Sequence, residues 1–157
     1  LVEHAAGLLL DHDIEVLDLN DYEMPIYSID REQEGGIPEA AQRFRAKIGE
    51  ADALIISYAE HNGSYTVAFK NLYDWTSRID AKVYQGKPML MLATSPGPGG
   101  AANVLKTATT SAPYFGGDLR GSLTVPKFFD VYDADKGAFR DDAIEQQLSE
   151  LLSALVA

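Results

Sequence analysis

Two segments of this chain are apolar along their whole length, and each leads through a short loop into a helix pattern. They read ALIISYA, residues 53–59, and PMLMLATS, residues 88–95. A strand without a polar face is typical of a parallel sheet that helices cover on both sides. The two segments therefore predict central strands of such a sheet, and this constrains the fold more than any other feature of the chain.

The rest of the chain alternates between helix and strand patterns. Strands are predicted at 14–19 and 119–125, and helices at 1–11, from Pro38 to Ala51, at 65–78, from Ala101 to about Gly116, and around 144–155. This order predicts an α/β fold with a three-layer, doubly wound parallel sheet. In the strand order 2-1-3-4-5 the first strand lies at the centre, and no strand pattern precedes the first helix here. Residues 1–157 are thus expected to form one domain that lacks its first strand.

Charge and composition exclude several function classes. The formal net charge of -11 argues against nucleic acid or an anionic membrane as the main partner. The absence of cysteine removes disulfides and thiol catalysis and fits the cytoplasm. The three histidines show no ligand spacing, so no metal site is expected. No apolar run approaches the roughly 20 residues that a membrane helix needs.

Ligands of open parallel sheets bind beyond the carboxyl ends of the strands, and the loop Ala59 to Ser64 lies at such an end. Asn62 and Gly63 are residues that tight turns favour, and Ser64 is predicted to cap the following helix. One interpretation is therefore a simple strand-to-helix connection. The other is a loop that binds a planar ligand through exposed amides, Glu60 and the flat ring of His61.

The second such loop runs from Thr94 to Gly100 as TSPGPGG. Three glycines allow the backbone to approach a flat ligand closely, and a plain turn does not need so many. Glycine-rich loops of this kind also serve close helix packing, and the spacing is not GxGxxG. Both interpretations remain open from the residues alone.

Other candidates have simpler interpretations. Trp75 lies on the apolar face of its helix, which favours the core or an interface. Arg78 stands near the end of that helix, where a positive charge complements the helix dipole. The aromatic residues after the last strand are expected to form a lid or a subunit contact: Phe128, Phe129 and Tyr132.

At both loops the chain resembles the NADPH-dependent FMN reductase family, flavodoxin-like proteins that include quinone, azo-dye and chromate reductases. The family pattern Pro-Glu-Tyr-Asn-Gly-Ser stands here as AEHNGS, 59–64, and Leu-Lys-Asn-x-x-Asp-Trp as FKNLYDW, 69–75. The loop at 95–100 resembles the Ser-Pro-Gly-x-x-Gly-Gly type. Ala59 replaces the family's proline and His61 its tyrosine. The family's phosphate loop, Gly-Ser-x-Arg-x-x-Ser, has no counterpart in residues 1–157.

The resemblance implies FMN as cofactor, with its isoalloxazine ring between the two loops. The cofactor-binding residues that it implies are Ala59, Glu60, His61, Asn62, Gly63, Ser95, Pro96, Gly97 and Gly99. Arg78 is implied to reach the flavin site across a dimer interface. No side chain is expected to be catalytic, because the flavin carries the chemistry.

The function that the resemblance implies is an FMN-dependent NAD(P)H oxidoreductase. Hydride from NADPH would pass through FMN, by a ping-pong cycle, to a small electron acceptor such as a quinone, flavin, azo compound or metal oxyanion. A cytoplasmic homodimer or homotetramer is expected. Two alternatives stay open: a flavodoxin-type FMN electron carrier that does not turn over NADPH, and a flavin-free relative with a structural or regulatory role.

Overall fold

A computed structural model of the chain describes all of residues 1–157. Its helices are α1 (Val2–Gly7), α2 (Ile29–Gly35), α3 (Glu39–Glu50), α4 (Val67–Ile79), α5 (Ala102–Ser111), α6 (Phe128–Val131) and α7 (Asp142–Val156). Its strands are β1 (Leu54–Tyr58), β2 (Glu60–His61), β3 (Ser64–Tyr65), β4 (Pro88–Thr94), β5 (Asp118–Val125), β6 (Tyr132–Asp133) and β7 (Ala138–Phe139). Short 3₁₀ helices occupy Leu19–Tyr22 and Ala112–Phe115. None of the helices is long and apolar enough to cross a membrane.

The centre of the fold is a parallel sheet of three strands in the order β1-β4-β5. β1 pairs with β4 from Leu54 opposite Met89 to Tyr58 opposite Ala93. β4 pairs with β5 up to Thr94 opposite Val125. The α/β class and the parallel sheet predicted from the two apolar segments are confirmed, and these strands correspond to the run 3-4-5 of the predicted order.

Side chains of β4 explain why that segment has no polar face. Successive residues of a strand point to opposite sides of the sheet. Met89, Met91 and Ala93 belong to a core that α3, α4 and α5 cover. Leu90 and Leu92 belong to a second core on the other side, which α1 and α7 cover. Each face of the strand is therefore buried by its own layer of helices.

The connection after β1 contains a small hairpin that the sequence did not reveal. Glu60 pairs with Tyr65 and His61 with Ser64 in an antiparallel ladder. The predicted capping role of Ser64 is wrong, because the hairpin uses this residue as a strand. Thr66 is the N-cap of α4, and its hydroxyl accepts a hydrogen bond from Phe69 N at 3.2 Å.

The predicted strand at 14–19 does not form. Residues 13–17 take part in no backbone–backbone hydrogen bond, and Leu19 begins a 3₁₀ helix instead. A strand exists only when a neighbouring strand accepts its ladder bonds. Here a cleft of about 1150 Å³, lined by Ile14, Val16, Leu54 and Ile56 among others, lies beside the free edge of β1. The segment therefore has the apolar pattern of a strand without a partner to pair with.

Candidate functional site

The loops that follow β1, β4 and β5 meet at one edge of the sheet. Tyr58 lies opposite Ala93, and Thr94 opposite Val125, so the three strands end at nearly the same level. The two loops predicted as ligand-binding therefore lie side by side. A third loop, Pro126 and Lys127 with the start of α6, also lies at this edge, and the sequence had indicated only the aromatic residues that follow Lys127.

Backbone strain is concentrated at this edge. Only four residues other than glycine have a positive φ: Asn62 at 52°, Gln85 at 54°, Ala101 at 59° and Lys127 at 52°. Three of them follow the three strands of the sheet, one in each connection. Such conformations cost roughly 1–3 kcal/mol each and cluster at functional sites. The positions of these residues indicate a functional site at this edge of the sheet, independently of the family resemblance.

The first loop presents free backbone donors. Asn62 and Gly63 have φ of 52° and 77°, the pattern of a two-residue type I′ hairpin turn. Neither amide N–H donates a hydrogen bond within the chain. His61 is exposed on the same turn, and Ala59 is exposed just before it. The turn thus offers two unpaired N–H groups and an imidazole to a ligand.

Two carbonyls of the second loop are bonded to the third loop, and several of its N–H groups are free. Gly97 O accepts from Lys127 N at 2.9 Å, and Ser95 O accepts from Phe128 N at 3.1 Å. The N–H groups of Gly97, Gly99 and Gly100 donate to no atom of the chain. The third loop therefore fixes the second one with its amides outward.

Space beside Gly97 and Gly99 is open. A Cβ added at Gly99 would meet nothing within 4 Å, and one added at Gly97 would meet only Ser95 Oγ at 4.0 Å. Pro96, just before Gly97, is exposed. A planar ring with carbonyl acceptors fits such a surface, because backbone donors can hold its oxygens and stabilise negative charge on it. The residues present therefore fit the ring of FMN.

Glu60 is the predicted site residue whose side chain joins the two loops. Its Oε2 accepts a hydrogen bond from Val104 N at 2.8 Å, and its Oε1 lies 3.4 Å from the Asn103 Nδ2 donor. The carboxylate is therefore bonded to the start of α5. The contact of Glu60 with the flavin ring that the resemblance implies stays a prediction.

Arg78 is not brought to these loops within one chain. It lies eleven residues beyond the start of α4, which corresponds to about 16 Å along the helix axis. Its Nε donates to Glu32 Oε2 at 2.9 Å. That hydrogen bond raises the pKa of Arg78 and lowers the pKa of Glu32. A contact with the flavin of a partner subunit stays a prediction.

Two residues of the FKNLYDW segment hold the chain ahead of α2. Asn71 Oδ1 accepts from Tyr27 N at 2.8 Å, and its Nδ2 donates to Met24 O at 3.1 Å. Trp75 Nε1 donates to Pro25 O at 2.8 Å. Trp75 is only 1 % exposed, so the expected place in the core is confirmed. No local pattern indicated the partners, which lie 44 to 50 residues away along the chain.

A group of buried tyrosines lies behind the first loop. Burial raises the pKa of Tyr58, at the end of β1, well above its ordinary value. Burial also raises the pKa of Tyr73, and it raises the pKa of Tyr84 to about 12. These phenols stay protonated at neutral pH and serve as packing groups. No group of three or more acidic or histidine side chains is arranged to hold a metal ion.

Comparison with known proteins decides the family. The sequence model of the family described as NADPH-dependent FMN reductase matches residues 1–130. The chain belongs to this family. The resemblance at the two loops is confirmed, together with the enzyme class and the cofactors FMN and NAD(P)H that characterise the family.

Similar proteins have names of the same kind. An NAD(P)H-dependent FMN reductase of Pseudomonas aeruginosa is 38% identical over 160 residues, covering 90% of this chain and 76% of the relative. An NADPH:quinone oxidoreductase of Arabidopsis thaliana is 36% identical over 153 residues, covering 92% of this chain and 73% of the relative.

A solved structure supports the fold over the whole chain. It is FerB, a flavoenzyme NAD(P)H:(acceptor) oxidoreductase from Paracoccus denitrificans, with a TM-score of 0.76 and 25% sequence identity. The match covers 99% of this chain and 85% of that one. The flavodoxin-like α/β architecture is therefore confirmed.

Proposed function

We propose that this protein is an FMN-dependent NAD(P)H oxidoreductase that reduces a small acceptor, with a quinone as the favoured class. The observation that carries the proposal is the set of four unpaired backbone N–H groups at one edge of the sheet, those of Asn62, Gly63, Gly97 and Gly99. The names of the similar proteins support the quinone class. When bound, FMN supplies the redox chemistry, with hydride arriving from NADPH and electrons leaving to the acceptor in a second half-reaction.

The chain's own part is binding and orientation. The amides of the two loops would hold the oxygen and nitrogen acceptors of the flat ring and stabilise negative charge that develops there. Ser95 and Pro96 would flank the ring on one side, and Ala59 on the other. His61, exposed on the hairpin turn, would contact the nicotinamide or the acceptor. No side chain needs to act as a nucleophile.

The deciding experiment titrates the purified protein with FMN and follows flavin fluorescence, then adds NADPH without oxygen and a quinone afterwards. The expected result is saturable FMN binding, bleaching of the flavin absorbance by NADPH, and its return with the quinone. Bound FMN that NADPH does not bleach would favour the electron carrier. A protein that binds no FMN would overturn the proposal in favour of the flavin-free relative.

A matched pair of substitutions tests where the ring lies. Gly99→Ala adds a methyl group on the ligand side of the second loop, and Gly7→Ala adds one on α1, far from this edge. An added Cβ meets nothing within 4 Å at either position. Overpacking costs about 1–3 kcal/mol, so Gly99→Ala is expected to weaken FMN binding about tenfold. Gly7→Ala should leave it unchanged, and equal affinities of the two variants would argue against this ring position.

The subunit arrangement and location belong to the same proposal. A homodimer or homotetramer is supported by the exposed apolar residues Ile26 and Ile29, which lie within and just after the segment that α4 holds. Arg78 of one subunit would then reach the flavin of the other. Light scattering of the purified protein tests the oligomer, and a monomer would remove the role proposed for Arg78. The cytoplasmic location stays a prediction from the resemblance and the composition.

A further inference from the structure

We propose that Glu60 is a positioning residue that caps α5 from the neighbouring loop and thereby sets the distance between the two loops of the site. The cap itself is independent of any ligand. Its effect on the cofactor rests on the function proposed above, so the two parts are tested by separate measurements.

α5 has no cap of its own. The residue before it, Ala101, has φ of 59° and ψ of 37° and carries no side chain that accepts a hydrogen bond. There is also no acidic residue in the first turn. The first N–H groups of a helix have no partner inside the helix, and leaving one buried and unpaired costs about 1–3 kcal/mol. Val104 is fully buried, so its amide needs an acceptor.

Glu60 supplies that acceptor from 44 residues away. Val104 is the third residue of α5, and its N–H is one of those that a local N-cap side chain would take. Glu60 Oε2 accepts it at 2.8 Å, and the second carboxylate oxygen lies 3.4 Å from Asn103 Nδ2. The negative charge also lies at the positive end of the helix dipole, which adds to the stabilisation.

The hydrogen bond between Glu60 and Val104 links the first loop to the helix that follows the second loop. The backbone of Glu60 belongs to the hairpin that presents Asn62 and Gly63, because it pairs with Tyr65. Its side chain is bonded to the helix that follows Gly97–Gly100. With β4 fixed in the sheet and α5 fixed by Glu60, both ends of the second loop are held relative to the first. The free amides of the two loops therefore keep a set spacing.

The carboxylate is also directed to the start of α5. The helix terminus partly offsets its charge, which reduces its repulsion of negative charge on a bound ligand. For the same reason the N-terminus of α5 is occupied and is not an anion site.

Amide hydrogen exchange measured by NMR tests the cap without any ligand. Glu60→Ala is expected to speed exchange of the Val104 amide about tenfold, relative to the Ala108 amide in the middle of α5. Glu60→Gln should lie between, because an amide oxygen still accepts the bond but carries no charge. Glu150→Gln, exposed on α7, is the matched control and should change neither amide.

The outcomes separate a cap from a general loss of stability. A variant that is only less stable would speed exchange at Ala108 as much as at Val104, and this would overturn the cap. Unchanged exchange at Val104 in Glu60→Ala would overturn it too. If Glu60→Ala does not fold, Glu60→Gln and Glu60→Asp decide the question. The shorter aspartate should not reach Val104, so Glu60→Asp should speed exchange of the Val104 amide as loss of the bond would.

The effect on the site is measured as the FMN dissociation constant of the same variants. It should rise about tenfold in Glu60→Ala and less in Glu60→Gln, in the same order as the exchange at Val104. Faster exchange with unchanged FMN affinity would overturn the positioning role and leave only a helix cap. If the wild-type protein binds no FMN, the proposed function fails, while the exchange data still decide the cap.

Discussion

Arg78 and Glu32 join α4 to α2 through a hydrogen-bonded ion pair, with Nε 2.9 Å from Oε2. The same carboxylate oxygen accepts a hydrogen bond from the Tyr27 hydroxyl at 2.9 Å. The pKa of Glu32 is therefore lowered, first by its bond to Arg78 and further by its bond to Tyr27. The bond to Glu32 in turn raises the pKa of the Tyr27 phenol. One carboxylate thus connects the segment before α2 to the C-terminal part of α4.

The first prediction concerns acid stability. The pKa of Glu32 in the folded chain lies below its ordinary value of 4.5, so its contribution to stability is present above that value. It is lost as the pH falls through the lowered pKa. Glu32→Gln should therefore lower the melting temperature at neutral pH and reduce its dependence on pH in the acid range.

Melting curves from neutral pH down to the acid range check this. Glu34→Gln is the matched control, because Glu34 is exposed on the same helix and forms no ion pair. The ion pair is partly exposed, so the difference at neutral pH is expected to be small. If the melting temperatures of Glu32→Gln and the wild type are the same at every pH, the ion pair contributes nothing to folding.

The second prediction concerns Asn71, whose amide holds the chain before α2. Asn71→Asp keeps the oxygen that accepts from Tyr27 N but replaces a donor that faces Met24 O and Pro25 O, each at 3.1 Å. Two carbonyls would then face a carboxylate, and we expect a loss of about 1–3 kcal/mol in the free energy of unfolding. Urea denaturation measures it.

Gln33→Glu provides the control for this change. It makes the same conversion of an amide to an acid at an exposed position of α2. Its free energy of unfolding should stay within about 0.5 kcal/mol of the wild type. Equal losses in the two variants would mean that added negative charge, and not the amide contacts, controls stability in a chain that already carries a net charge of -11.

Local sequence patterns predict some strands and loops correctly, but they do not reveal contacts between residues that are far apart along the chain. The apolar run of β4 identifies a strand buried on both faces, and the glycines at 97 and 99 identify a loop with accessible backbone. The pattern at 14–19 predicts a strand equally well, yet strand formation depends on a pairing partner that no local pattern reveals. The Asn71 and Glu60 contacts reach 44 residues along the chain, so side-chain type alone did not reveal their roles.

Lys127, within the site, is another residue whose contacts no local sequence pattern indicates. Its N–H bond to Gly97 O and its positive φ place the third loop against the second. The aromatic residues next to it had indicated a lid or a subunit contact. The structure confirms neither. It shows that this loop supports the second one through backbone bonds, a role that residue identity does not encode.

The third prediction concerns the buried tyrosines. The hydroxyls of Tyr58 and Tyr73 have no hydrogen-bond partner, although both are buried. A buried polar group without a partner is a cost to the folded state, so removing it is nearly neutral or stabilising. Tyr58→Phe and Tyr73→Phe should change the free energy of unfolding by less than about 1 kcal/mol or raise it. A larger loss would reveal a hydrogen bond to these hydroxyls.

The last prediction separates two neighbouring glycines of the second loop. Gly100 has φ of +58°, and a Cβ there would lie 3.0 Å from Pro126 N and 3.2 Å from Pro126 Cα. Both contacts are with backbone, which has little freedom to move. Gly100→Ala therefore combines a strained conformation with a clash, and we expect it to cost about 2–4 kcal/mol of unfolding free energy.

Gly99→Ala should cost far less, because an added Cβ there meets nothing within 4 Å. Urea denaturation without FMN compares the two variants, and FMN titration then compares their affinities. The expected pattern is a loss of stability in Gly100→Ala and a loss of affinity with retained stability in Gly99→Ala. Equal stabilities would show that the second and third loops are not in contact at Pro126. Lys127 N and Phe128 N donate hydrogen bonds to carbonyls of the second loop. In that case, these bonds would not be what orients the free amides of the second loop toward the ligand.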